Sequence, residues 1–187
     1  MDVVIAAALL VILTPFLLLI MLAIKLDSPG PALFFQRRRG LDDVEFYICK
    51  FRTMKVLEDG PVVSQAQRND PRVTRMGRLL RKSNIDELPQ LFNVLKGEMS
   101  LVGPRPHAVA HDEMYRNLIE DYALRLRVFP GITGWAQING WRGETRDVRD
   151  MKERVRMDLW YIECWSIWLD LFILLQTPMK AFHKKAY

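Results

Sequence analysis

The chain has 187 residues, which suits one domain with a sizeable core. Half of them are hydrophobic and 26% are charged, a mixture that argues against both a polytopic membrane protein and a disordered chain. The net charge of +5 is unevenly placed: residues 36–82 hold 12 Lys/Arg against 6 Asp/Glu, so a bound anion is expected there, whether phosphate ligand, lipid headgroup or nucleic acid. The two cysteines, Cys49 and Cys164, lack metal-ligand spacing and fit reduced thiols in a cytoplasmic setting.

Val3 to Ile24 carry no charge. Such a run is long enough to cross a bilayer as a helix. The Met1-Asp2 start and the missing small-residue cleavage site argue against a secretory signal. Thr14-Pro15 lies near the centre, and proline removes a backbone donor and kinks a helix. The halves, about 12 and 9 residues, are each too short to span alone. Two geometries stay open: a kinked span, or a re-entrant helix that leaves by the leaflet it entered. Lys25 and the Arg37-Arg38-Arg39 run place the following body in the cytoplasm in either case.

Asp27-Ser28-Pro29-Gly30-Pro31 ends this segment. Residues 32–35 and 45–51 read as short strands around a turn at Gly40. Residues 57–72 read as a polar, exposed loop. A helix is expected from Thr74, with Arg75, Arg78 and Lys82 on one basic face. Ile85, Leu88, Phe92 and Leu95 predict a second helix closed by Gly97. Gly103-Pro104-Arg105-Pro106 reads as a rigid loop, residues 112–127 as an exposed helix, Gly134 to Gly143 as a loop, and Arg146 to Tyr161 as a helix. The last apolar run, Leu159 to Phe182, is interrupted by Glu163, Asp170 and Gln176. With Trp160, Trp165, Trp168, Lys180, Lys184 and Lys185 it fits an amphipathic helix in the headgroup layer, or else an aromatic core helix. The fold class is therefore α+β, mainly helical, with a small β element.

Asp86-Glu87 precedes Leu-Pro-Gln, and a proline in a first turn sets the dyad at a helix N-terminus. There the dipole favours ionised carboxylates. An ionised Asp can attack phosphorus, and a neighbouring carboxylate can hold Mg²⁺ against a diphosphate. Lys50, Arg52, Arg81, Lys82 and Arg105 supply the opposite charge, with Arg105 stiffened between two prolines. Taken bare, an adjacent Asp-Glu pair more often marks a helix start. His107 and His111 lack a third metal ligand, and there is no P-loop.

Together the motifs DSPGPALFFQRRRG, KFRTM, LRKSNIDELPQLFNVLKGEMSLVGPRP, PGITGWAQINGWRGET and DLWYIECWSIWLDL, behind an apolar segment with a central proline, closely resemble the bacterial polyprenyl-phosphate sugar-1-phosphate transferases of the monotopic phosphoglycosyl transferase superfamily. The resemblance covers essentially the whole chain. It implies that Asp86 is the nucleophile, that Glu87 binds Mg²⁺, and that Lys50, Arg81 and Arg105 lie near phosphates. It implies a UDP-sugar donor, an undecaprenyl phosphate acceptor and a phosphosugar–aspartate intermediate. It also implies a re-entrant membrane helix over residues 1–26 and a membrane-associated catalytic domain over 27–187 on the cytoplasmic side of the inner membrane. Thr14 stands where some members have serine. Larger members carry a further N-terminal membrane region, so the sequence corresponds to a short member or to a catalytic core. Oligomeric state stays open, a homo-oligomer included.

Two rival readings are a membrane-anchored phosphodiesterase or phosphatase, and a non-enzymatic adaptor docking its basic face on anionic lipid. Nucleic acid is not an expected partner, because no stacking aromatics interleave with the arginines.

Overall fold

The computed structural model describes residues 1–55, 70–143 and 147–181. Residues 57–69 of the expected polar loop lie outside this set, as do Lys184 and Lys185. The chain is mainly helical, with two small two-stranded sheets.

Helix α1 (Asp2–Asp27) contains Pro15 and is one helix. The Thr14 hydroxyl donates to the Leu10 carbonyl at 2.6 Å, beside the carbonyl that Pro15 leaves without a donor. Ala6, Leu10, Leu17, Ile20 and Ile24 are buried. Their spacing of three, four or seven puts them on one face of the helix. The remaining surface is also apolar: Val4, Val11, Ile12, Leu18, Leu19, Leu22 and Leu26 are each more than half exposed. A helix apolar all round with such an uncovered face needs an apolar surrounding.

Both ends of α1 are tied to the same body. At its start the Asp2 carboxylate accepts hydrogen bonds from the Ser100 hydroxyl and, at 3.2 Å, from the Leu101 N–H. At its end Asp27 accepts from the Met76 N–H at 3.1 Å. There Arg52 also donates to the Ser28 and Pro29 carbonyls, both at 2.6 Å.

Strands β1 (Leu33–Arg39) and β2 (Glu45–Phe51) form the expected hairpin, with Leu33 opposite Phe51 and Arg39 opposite Glu45. β1 runs on through the arginine triplet. Alternation places Gln36 and Arg38 on one face and Arg37 and Arg39 on the other. Helix α2 (Arg75–Ser83) starts at Thr74, whose hydroxyl accepts from the Gly77 N–H at 2.9 Å. Gly77 lets α2 approach the end of β2, since a Cβ there would lie 2.1 Å from the Thr53 carbonyl oxygen.

Asn84 adopts a left-handed conformation (φ 59°) and turns the chain out of α2. A short 3-10 helix (Ile85–Gln90) and α3 (Leu91–Leu95) follow where one continuous helix was expected. Pro89, which lacks an N–H, lies in the 3-10 part. Gly97 ends α3 with φ 73°.

Strands β3 (Ser100–Val102) and β4 (Gly131–Thr133) pair in parallel, a feature the sequence reading lacks. They meet backbone to backbone: a Cβ on Gly131 would lie 2.1 Å from the Gly103 nitrogen. The stretch 112–127 is helical only in part, with α4 (Val109–Arg116) and a 3-10 helix (Tyr122–Arg127). It is not an exposed helix, because Asp112, Tyr115, Ile119, Tyr122, Arg125 and Leu126 are buried. Tyr115, Ile119 and Tyr122 form a second apolar cluster with Met151 and Val155.

The short α5 (Trp135–Ile138) precedes α6 (Val148–Glu163) and α7 (Ile167–Ala181). Asp170 couples the last two helices by accepting from the Tyr161 hydroxyl (2.7 Å) and from Trp165 Nε1 (3.1 Å). α7 leaves Trp168, Phe172, Leu175 and Met179 exposed beside its buried Ile173.

Candidate active site

Asn84 accepts the Glu87 N–H at 3.2 Å, and this turn presents Asp86 and Glu87 in the first turn of the 3-10 helix. That helix packs against β2. Glu87 is thereby set beside Lys50, with the ammonium 2.8 Å from its carboxylate. The other partner is Arg105, which donates Nη1 to Glu87 Oε2 at 2.9 Å and Nη2 to Oε1. Glu87 therefore sits buried between two cations. Asp86 is half-buried, and its carboxylate makes no hydrogen bond or ion pair among the described residues.

Adjacent carboxylates acquire different acidities here. Burial and then the Glu87 charge push the Asp86 carboxyl above the ordinary aspartate range, while Lys50, Arg81 and Arg105 pull the other way. This direction is opposite to the one expected from a helix dipole. The 3-10 helix is short, and desolvation beside a like charge outweighs its field. For Glu87 burial also opposes ionisation, but Arg105 and Lys50 prevail and hold it well below the usual glutamate range. Burial pulls the Lys50 ammonium down to about 8.

Of the six predicted site residues, the structure brings Lys50, Asp86, Glu87 and Arg105 together, and Arg81 is close enough for its charge to act on Asp86. Arg52 is placed apart. Its guanidinium is buried against the end of α1, with carbonyl and hydroxyl partners at Ser28 and the Pro29 carbonyl, and serves that helix. His107, weighed as a metal ligand, is buried among guanidinium groups, and no group of three metal-binding side chains occurs among the described residues.

Sequence reasoning missed the support under Arg105. Arg125 Nη2 donates to the Arg105 carbonyl and to Asp158 Oδ2, both at 2.7 Å. The Arg125 and Asp158 side chains are 2% and 3% exposed. Arg125 Nη1 donates to His107 Nδ1 at 2.8 Å, and Arg154 lies 3.5 Å from the other ring nitrogen. Burial and these guanidinium charges hold His107 well below the usual imidazole range, so it accepts as a neutral ring. The Gly131 N–H donates to the Pro104 carbonyl at 2.9 Å, fixing the other side of the Pro-Arg-Pro turn. Arg142, from the GWRGET motif, adds to the positive field at Glu87. The clue available in sequence was the run of unmatched polar residues within otherwise apolar periodicity, such as Arg125 between Tyr122 and Leu126.

Chemically, the arrangement offers an unpaired carboxylate beside a strongly ionised one, set among cations. That suits a nucleophile facing a phosphoanhydride.

A family model described as bacterial sugar transferase matches residues 1–184. A protein of Escherichia coli K12 named UDP-glucose:undecaprenyl-phosphate glucose-1-phosphate transferase is 56% identical over 185 residues, covering 99% of this chain and 40% of that protein. A protein of the same name from Caulobacter vibrioides is 58% identical over 177 residues, 95% of this chain and 66% of that one. A protein of Aeromonas hydrophila named UDP-N-acetylgalactosamine-undecaprenyl-phosphate N-acetylgalactosaminephosphotransferase is 42% identical over 177 residues, 95% of this chain and 41% of that one. The chain thus spans two fifths to two thirds of the length of these relatives. Because the family model takes in nearly all of its residues, this chain belongs to the bacterial sugar transferase family.

Proposed function

We propose that the chain transfers hexose-1-phosphate from a UDP-sugar to undecaprenyl phosphate, giving undecaprenyl-diphosphate-sugar and UMP. The observation that carries this reading is the unpaired Asp86 carboxylate beside Glu87, itself locked between Lys50 and Arg105. An Asp86 oxygen attacks the β-phosphorus, the bond from that phosphorus to the bridging oxygen breaks, and UMP leaves with that oxygen. A phosphosugar–aspartate remains. An oxygen of the lipid phosphate then attacks the same phosphorus and releases Asp86. The relatives more than half identical to this chain carry UDP-glucose in their names, so UDP-glucose is the first donor to test.

The proposal includes Mg²⁺. The donor set fits this ion, which is commonly held by one or two carboxylates with substrate phosphates and water completing its shell. Glu87 would hold it, with the unpaired Asp86 carboxylate adjacent. The ion would supply charge neutralisation at the diphosphate. The chain's own Lys50 and Arg105 keep Glu87 ionised, and Arg81 lowers the cost of an ionised Asp86. The test is UMP release from UDP-glucose with undecaprenyl phosphate present. Chelator should stop it, Mg²⁺ should restore it, and Glu87→Gln should need far more Mg²⁺. Free glucose-1-phosphate formed without lipid would point to a phosphodiesterase instead.

A pH dependence follows from Lys50. It is charged below about pH 8 and neutral above it. The pairing with Glu87 is therefore present at neutral pH and is lost as pH rises through that value. kcat/KM, which reports the free enzyme, should fall on the alkaline side from about pH 8. Lys50→Arg should move that limb to higher pH, because arginine stays charged. A limb unmoved by this substitution would assign it to another group.

The proposed organisation has residues 1–26 as a re-entrant helix in the inner membrane and 27–187 as a catalytic domain on its cytoplasmic face. A helix of 26 residues is roughly 39 Å long, more than the roughly 30 Å hydrocarbon core. A spanning helix would carry one end across the bilayer from the body. Here the Asp2 end and the Asp27 end both bond to that body, which supports a non-spanning path. The exposed apolar faces of α1 and α7 supply the lipid contact. With Cys49 and Cys164 changed to Ser, Val3→Cys should react with a membrane-impermeant thiol reagent in inside-out vesicles and not in intact cells. Reaction in intact cells would mean that α1 spans.

A further inference from the structure

Several cations in this region pair with carboxylates of the protein itself. Lys50 and Arg105 pair with Glu87, Arg125 with Asp158, and Arg39 and Arg116 with Asp43. Arg38 is different. Its Nη1 donates to the Pro106 carbonyl at 3.2 Å and its Nη2 to the Gln36 side-chain oxygen, both neutral acceptors. Its Nε has no partner, and no carboxylate lies within ion-pair distance among the described residues. Pro106 follows Arg105, so this guanidinium sits against the Pro-Arg-Pro turn, where burial and the Arg105 charge oppose its ionisation and the more distant Asp112 and Glu87 charges favour it. The residue is half-buried, so part of it remains open to solvent.

A desolvated cation next to another cation, bonded only to neutral oxygens, is unfavourable for folding. A bound anion would complete such an arrangement, and a guanidinium fork matches phosphate oxygens. We infer that Arg38 binds a phosphate group of the substrates, either the diphosphate of the nucleotide-sugar or the phosphate of the lipid acceptor. This rests on the proposed transfer reaction.

The experiment uses the purified full chain and its Arg38→Gln and Arg38→Lys variants, with UDP and undecaprenyl phosphate as separate probes in thermal-shift titrations. Without ligand, Arg38→Gln should melt at or above the wild-type temperature, because it removes an unpaired charge. Its apparent affinity for at least one probe should fall by about tenfold or more, as expected for a lost charge-assisted contact, and Arg38→Lys should recover part of it. The probe that weakens names the source of the phosphate. Unchanged affinity for both probes would overturn the inference. So would a lowered melting temperature with both probes weakened alike, since that marks a structural role. Wild-type turnover is measured alongside. A wild type that transfers no sugar phosphate, while the variant still shows the selective loss, fails the proposed reaction and leaves the Arg38 assignment standing.

Discussion

Asp86→Asn is expected to leave less than about a hundredth of the wild-type transfer rate, because removing covalent catalysis should cost several kcal/mol of barrier. An amide of the same shape cannot attack phosphorus usefully. The fold should not suffer. Burial and the Glu87 charge push the Asp86 carboxyl upward, so its native acidity is weaker than in the unfolded chain. A group shifted in this direction disfavours folding wherever it is ionised, and at neutral pH its neutral isostere should melt at or above the wild-type temperature. UMP release and thermal unfolding measured on one preparation check both halves. A variant that keeps substantial transfer would move the nucleophile elsewhere. One that melts well below the wild type would contradict the stability half of the prediction.

Arg125→Met should destabilise the protein by about 3–5 kcal/mol, since it leaves the Asp158 carboxylate buried without its partner. The loss is also expected to reach the site. Arg125 holds the Arg105 carbonyl and His107, so the Pro-Arg-Pro turn loses an anchor on one side. Adding Asp158→Leu removes the stranded charge. The double variant should therefore recover much of its stability and still show a low kcat/KM. Denaturant unfolding and kcat/KM on the single and double variants separate the two effects. If the single variant unfolds like wild type, the ion pair is not a structural element. If the double variant recovers both stability and activity, Arg125 does not position Arg105.

Much of this was legible in the sequence, for identifiable reasons. The apolar run marks α1, the two short apolar stretches around Gly40 mark the hairpin, and Thr74 marks the start of α2. The dyad and Arg105 announced themselves by proline: Pro89 marks the turn that presents Asp86, and Pro104 and Pro106 flank the arginine. What was hidden depended on distant contacts. The parallel pair β3–β4 is only three residues wide and rests on the close approach of Gly103 and Gly131, which no periodicity signals. Asp112 and Arg125 read as surface residues, yet they are buried, Asp112 under the Tyr122 hydroxyl and Arg125 against His107 and Asp158. Arg38 was concealed within a run of three arginines, and only the pleat of β1 separates it from Arg37 and Arg39. Arg52 was grouped with Lys50 by proximity in sequence. It lies one residue past the end of β2, where its N–H meets the Ala32 carbonyl and its side chain turns to α1.

The central claim is that sugar phosphate passes through Asp86. Its most direct test is the mass of the protein after incubation with UDP-glucose and Mg²⁺ and no lipid acceptor. The account predicts one equivalent of UMP and a gain of one hexose-phosphate on the peptide that contains Asp86. Adding undecaprenyl phosphate should discharge that group as lipid-linked product. A protein that turns over normally when both substrates are present, yet releases no UMP and gains no mass with UDP-glucose alone, would contradict it.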